Sequence, residues 1–290
     1  MRIVHFSDIH FGGFPDTLSA LIDKRILGSA NFLLRRSAWI RTKRISQALV
    51  HAQQLAPDWI VCTGDITSTS SPREFALAQE ALQPFVDTFG ERLIYVPGNH
   101  DAYVQNGACK NALNNAFDML NSGRWARSNL PFETGDGALR LFLVDEAQPN
   151  SWFMSTGRLD EPDRNTLHKL LDQPRAERET RILISHFPTA KADGRQLGAR
   201  RRLTADAWKR QLLRDGLIDA ALCGHIHRPF ARWEPNGTAE FCAGSLTLHG
   251  WLNVVDCCDE KGTLSQFWVD VRTSAEKQPA KANLSAAPAC

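Results

Sequence analysis

No uninterrupted apolar run in this 290-residue chain approaches the ~18 residues that a membrane-spanning helix needs. The sequence also lacks any CxxC pair, and its 7 cysteines are odd in number. A disulfide framework or a thiolate-bound zinc is therefore disfavoured, and small buried thiols in a reducing compartment are expected. No internal repeat is visible. With 43% hydrophobic and 23% charged residues, a wholly disordered chain, a collagen-like repeat and a coiled coil are excluded. Arg2-Ile3-Val4-His5-Phe6 enters a strand pattern at once. That leaves no room for a signal peptide and predicts a cytoplasmic protein.

A net charge of only +2 hides an asymmetry. Residues 14–44 hold seven Lys/Arg against Asp16 and Asp23, and residues 191–214 hold eight against Asp193 and Asp206. Two basic segments on an otherwise acidic chain point to a local anionic partner. Buried strands are predicted at Ile3 to Phe6, Trp59 to Cys62, Leu93 to Val96, Leu139 to Val144, Arg181 to Ser185 and Ala220 to Cys223. Helices are predicted near 38–55, 72–88, 160–171 and 204–215. Four late runs (230–233, 239–242, 252–255 and 264–271) read as a β-rich meander. This order predicts an α/β fold with two sheets packed face to face between helices. One domain is expected over 1–271, followed by a disordered tail over 272–290. Residues 14–44 read as a basic amphipathic insertion, helical and broken or capped near Gly28.

Five segments, each directly after a predicted strand, hold most of the unusual polar residues. They are Asp8-Ile9-His10, Gly64-Asp65, Gly98-Asn99-His100-Asp101, Ser185-His186-Phe187 and Gly224-His225-Ile226-His227. Ligands gathered at strand C-terminal ends match the usual crevice of an α/β sheet. Four imidazoles, two carboxylates and an amide exceed the three or four protein ligands of one zinc site. They suit two divalent ions about 3.5–4 Å apart that share a carboxylate. A mixed N/O set without thiolate favours Mn²⁺, with Fe or Zn²⁺ as alternatives, over Ca²⁺. No serine or cysteine has an adjacent free base, so a covalent nucleophile is not expected.

The order DxH, GD, GNHD, H and GHxH resembles that of the calcineurin-like metallophosphoesterases, over roughly residues 1–271. The resemblance implies a two-sheet α/β/β/α sandwich. It makes Asp8, His10 and His227 ligands of one metal, Asn99, His186 and His225 ligands of the other, and Asp65 the bridge. It also makes His100 the catalytic histidine, facing the phosphate and not a metal. Many members place Asp or Asn three residues after the aspartate of GD, to orient that histidine. Here Ser68 stands there, with Asp101 as a substitute.

Further segments resemble the bacterial UDP-2,3-diacylglucosamine pyrophosphatases of the type described from chlamydiae. They are residues 24–31, Arg35-Arg36, 98–103 and 185–188. That similarity implies cleavage to UMP and 2,3-diacylglucosamine 1-phosphate, a lipid A precursor. A basic, Leu/Ile/Phe-rich insertion also suits a ligand with phosphates and acyl chains, or peripheral contact with an anionic inner-membrane face. Arg35, Arg36, Arg200, Arg201 and Arg202 are candidates for holding the substrate's phosphates. The alternatives are a cyclic-nucleotide or other small-molecule phosphodiesterase and a non-catalytic scaffold of the same fold. No nucleic-acid partner and no obligate protein partner are expected.

Overall fold

The computed structural model describes residues 1–13, 18–36, 39–257 and 264–273. The expected disorder of the tail therefore falls outside the described residues from 274 on. Arg272 and Thr273 are still tied down: Arg272 N–H donates to Asp270, and Thr273 O meets His51 Nε2 at 3.1 Å.

One sheet contains β1 (Arg2–Phe6), β2 (Trp59–Cys62) and β3 (Leu93–Tyr95), all parallel. The other is built around β4 (Phe132–Asp136), β5 (Leu139–Leu143), β6 (Thr180–Ile184) and β7 (Ala220–Cys223). The late strands do not form one meander. β8 (Phe230–Trp233) and β9 (Ala239–Cys242) complete the second sheet, with β9 parallel to β7. β10 (Trp251–Asp256) and β11 (Ser265–Asp270) cross to the first, where β10 pairs antiparallel with β1. The strand orders are β11-β10-β1-β2-β3 and β4-β5-β6-β7-β9-β8.

Strand alternation builds the layers. Ile3, Val61 and Ile94 point inward to meet Leu141, Ile182, Leu222 and Phe241 of the facing sheet. Val4, Phe6, Ile60 and Cys62 point outward under α2 (Lys43–Leu55), α3 (Pro72–Phe89) and α4 (Gly107–Leu120). On the opposite side Phe142, Leu183 and Ala221 lie under α5 (Glu161–Leu171) and α6 (Asp206–Arg214). Burial on both faces is why these strands read as continuous apolar runs. The result is an α/β/β/α sandwich.

Sequence reading missed three elements. The helix α4 is diluted by Gly107 and three asparagines, residues that favour turns over helix interiors. It is nevertheless capped by Asn106, whose side chain accepts from Cys109 N–H at 3.2 Å. The edge strand β4 carries Gly135 and two acids. The third, α7 (Leu246–His249), is a single turn. Cys62, Cys109, Cys223, Cys242 and Cys257 are all free and buried. Among the described residues no helix is long and apolar enough to cross a membrane.

The insertion is helical, with a 3₁₀ turn at Leu18–Leu21, α1 (Arg25–Asn31) and a π turn at Phe32–Arg36. Gly28 neither breaks nor caps it. It sits inside α1, where an added Cβ would lie 2.6 Å from Thr69 Cγ2 and 3.1 Å from the Tyr103 hydroxyl. The glycine is there because the helix packs flush on the Thr69 and Tyr103 loops.

Candidate active site

The loops following β1, β2, β3, β6 and β7 converge at one end of the sandwich and bring the five polar segments together. Five residues there, Asp8, His10, Asp65, His225 and His227, have φ between +54° and +70°. L-residues enter this left-handed region at a cost that the surrounding packing must hold, and such strain gathers at functional sites. Two glycines permit the close approach. A Cβ at Gly98 would lie 2.2 Å from Asp65 Oδ1, and one at Gly224 would lie 2.4 Å from Asp8 Oδ2.

Each carboxylate gives one oxygen to the backbone and leaves the other bare. Asp8 Oδ2 accepts from His225 N–H at 3.0 Å, and Asp65 Oδ1 accepts from His100 N–H at 2.7 Å. Asp8 Oδ1 and Asp65 Oδ2 are buried without a hydrogen-bond partner, as is His186 Nε2. Around Asp8 Oδ1 lie His227 Nε2 at 3.4 Å and His10 Nε2 at 3.6 Å, and those two nitrogens are 2.8 Å apart. Asp65 Oδ2 stands 3.4 Å from His186 Nε2 and 3.9 Å from His10 Nε2. Asn99 Oδ1 meets His225 Nδ1 at 2.8 Å.

Carbonyl groups fix the imidazole tautomers, because a carbonyl accepts and the facing ring nitrogen must donate. His10 Nδ1 faces Thr67 O at 3.2 Å, His186 Nδ1 faces Thr63 O at 2.5 Å, and His225 Nε2 faces Arg201 O at 2.8 Å. The remaining nitrogens, His10 Nε2, His186 Nε2 and His225 Nδ1, therefore turn lone pairs toward carboxylate or amide oxygens. Acceptor against acceptor at these distances calls for a cation between them. The donors form two groups, Asp8–His10–Asp65–His227 and Asp65–His186–His225, each with ligand atoms within 4.8 Å of one another. They share Asp65 and fit two divalent ions. The electrostatics agree with a demand for positive charge. Burial would lower the pKa of His186, yet the Asp65 carboxylate raises it to about 10. Burial opposes ionisation of Asp65, yet His186, His100 and His10 hold it well below the carboxylate range.

His100 stands apart from both groups. Its Nδ1 donates to the backbone carbonyl of Ser68 at 2.6 Å, and the ring lines the cleft above the ligands. Ser68 thus orients His100 through its main chain, where the side chain of an Asp or Asn was expected. Asp101 does not substitute. It accepts from Thr67 N–H and Oγ1–H, Tyr95 O–H and Gly98 N–H, pinning one catalytic loop to the next. Burial raises its pKa to about 6.

The scaffold beneath is equally constrained. Ser245 Oγ–H and Thr247 Oγ1–H donate to the carbonyls of Asp8 and Ile9, at 2.6 and 2.8 Å. Lys209, fully buried, pairs with Glu146 at 2.8 Å and donates to Ser185 Oγ and Phe187 O on either side of His186. Neither Lys209 nor Glu146 stood out in sequence, because the ion pair joins residues 63 positions apart.

A cleft of about 280 Å³ opens over these groups. Its lining adds Lys24, Tyr103, Trp152, Phe153 and Arg201 to Asp65, Asn99, His100, His225 and His227. Arg201 is the member of the 200–202 triplet that reaches the cleft, while Arg200 and Arg202 are fixed through their carbonyls to Ser155 and Gly157. Arg35 and Arg36 close the π turn, and their side chains lie outside the described residues.

Residues 1–229 match the family model described as calcineurin-like phosphoesterase. The chain belongs to that family. Over 101 residues it is 29% identical to a cAMP/cGMP dual specificity phosphodiesterase of Mycobacterium tuberculosis, a match covering 34% of this chain and 26% of that enzyme. The chain thus aligns with about a quarter of that relative's length. Solved structures of similar fold include TT1561 of Thermus thermophilus, with TM-score 0.55 and 12% identity over 93% of this chain and 99% of that one. A dimetal phosphatase from Danio rerio gives TM-score 0.51 and 13% identity over 88% and 92% of the two chains.

Proposed function

We propose that this phosphoesterase hydrolyses the phosphoanhydride of a nucleotide-linked lipid, UDP-2,3-diacylglucosamine, to UMP and the sugar-lipid phosphate. The observation that carries this reading is the set of exposed apolar side chains on the cleft wall and on the insertion, whose Lys24 lines the cleft. Ile22 is 81% and Leu34 84% exposed on the insertion, and Phe153 is 75% exposed on the cleft wall. Leu21, Ile26, Leu27, Trp39 and Trp152 are exposed with them. Where exposed apolar side chains gather into one patch, a ligand or a membrane commonly covers it. Acyl chains would cover it, and the nearby basic residues would favour an anionic bilayer face.

Asp8, His10 and His227 would hold one ion, Asn99, His186 and His225 the other, and Asp65 both; the mixed N/O donors favour Mn²⁺. When bound, two such ions supply charge neutralisation on the phosphoryl oxygens and make water acidic enough to attack at neutral pH. His100 lines the cleft with its Nδ1–H anchored, so Nε2 carries a proton for a phosphoryl or departing oxygen when the ring is an imidazolium. Ser68 O holds the ring in register, while Asp101 fixes the loop that carries it.

A second reading, a cyclic-nucleotide phosphodiesterase, draws support from the similarity to the mycobacterial enzyme. Turnover with Mn²⁺ of UDP-2,3-diacylglucosamine, cyclic AMP and bis-p-nitrophenyl phosphate separates the two. The lipid should be cleaved with the highest kcat/KM. Cleavage of cyclic AMP with none of the lipid would replace the first reading by the second.

A further inference from the structure

Lys24 opens α1 of the insertion, yet it is only 6% exposed. Its ammonium lines the catalytic cleft, donates to Met154 O at 2.9 Å and lies 4.2 Å from the centre of the Tyr103 ring. Tyr103 in turn stacks on His100, with ring centres 5.2 Å apart and planes 12° from parallel. The lysine is thereby coupled through one aromatic platform to the catalytic histidine. Among the described residues no carboxylate forms an ion pair with it. Burial alone acts on its pKa, pulling it down to about 8. Setting an ammonium in a cleft with one neutral carbonyl and a ring face leaves its desolvation poorly compensated. A ligand anion in the cleft would compensate it.

We propose that Lys24 forms a second-phosphate subsite beside the metal cleft, selecting ligands with two linked phosphates over those with one. This subsite rests on the phosphoanhydride part of the reading above. The reacting phosphoryl group is served by the ligand cluster and His100, so a separate cation lining the same cleft is free to meet the neighbouring phosphate. The insertion would then carry two recognitions in one element: a phosphate through Lys24 and acyl chains through its exposed face.

The test uses the full chain in excess Mn²⁺, with bis-p-nitrophenyl phosphate as reporter and UMP or UDP as inhibitor. The readout is the ratio of the UMP to the UDP inhibition constant, which cancels any general loss of activity. Wild type should bind UDP about tenfold more tightly, the scale of one added charge-assisted contact. Lys24→Met should bring the ratio close to one, and Lys24→Arg should restore most of it. A wild-type ratio near one, or a Lys24→Met ratio equal to wild type, overturns the subsite and leaves Lys24 a packing strut. If Lys24→Met fails to fold, Tyr103→Leu, which removes the platform, must lower the ratio at least about threefold; an unchanged ratio overturns the proposal. Cleavage of UDP-2,3-diacylglucosamine is measured separately. No lipid cleavage with an intact UDP preference removes the lipid reading alone, while lipid cleavage with a flat ratio removes the subsite alone.

Discussion

The ligand loops and the insertion face each other across one cleft and are built by opposite rules. The loops hold their side chains buried, in left-handed backbone conformations, cross-linked by carbonyls and carboxylates from both sheets. The insertion is made of short helical turns, is held through Gly28 and Lys24, and leaves its aliphatic residues in solvent. Phosphoryl chemistry needs atoms fixed to fractions of an ångström, which only an over-determined core supplies. Recognition of a variable amphiphile needs reachable apolar area, which a rigid core would bury. If the proposed function holds, reactivity and specificity are separable in this chain, and mutation should separate them.

The largest effect should come from the shared carboxylate. Asp65→Asn should lower kcat at least ~10³-fold, since metal charge contributes several kcal/mol to such a transition state. It should also reduce bound metal, read by elemental analysis. Wild-type protein reconstituted with Mn²⁺ that never exceeds one ion per chain would end the two-ion assignment. Next, His100→Ala should lose ~10²-fold or more in kcat while keeping its metal content. A normal kcat in that variant removes His100 from the chemistry.

On the other side of the comparison, Gly28→Val should unseat the insertion, because a Cβ there meets Thr69 Cγ2 at 2.6 Å. Overpacking of this kind costs ~1–3 kcal/mol, measurable by thermal unfolding. Ile22→Ser with Leu34→Ser should lower the ratio of lipid to bis-p-nitrophenyl phosphate kcat/KM by about tenfold, the scale of losing one or two buried apolar contacts. An unchanged ratio would mean these side chains meet no acyl chain. The smallest effect is a pH slope. Lys24 falls from 10.5 in the unfolded chain to about 8 in the fold. Between those values the unfolded chain binds more protons, so stability should rise with pH there. Lys24→Met should lack that rise in melting temperature between pH 8 and 10.5.

Much of the catalytic half was legible without coordinates. The seven ligand-type residues and His100 sit in short segments after apolar runs, and strand ends are where an α/β sheet places a site. The support around them was not legible. Ser68 contributes a backbone oxygen, which no side-chain pattern announces, and Asp101 binds hydroxyls and amides from other segments of the chain. Lys24 was visible as one charge among seven in a basic stretch and as the start of the 24–31 segment, with no role of its own. Its place on Tyr103 depends on a contact between distant stretches of chain, and nothing local encodes that.

By itself the sequence determined the strand runs, the helices flanking them, the order of the metal-type residues and the amphipathic character of the insertion. These follow from periodicity, turn chemistry and residue type, all short-range properties. Only the tertiary structure decided that the last four strands divide between two sheets. It alone left one oxygen of Asp8 and one of Asp65 bare, fixed the ring nitrogens that face them, and turned Lys24 inward while Ile22 and Leu34 stayed in solvent. Each of those outcomes is a competition between burial and hydrogen bonding among residues far apart in the chain, settled only when the layers close.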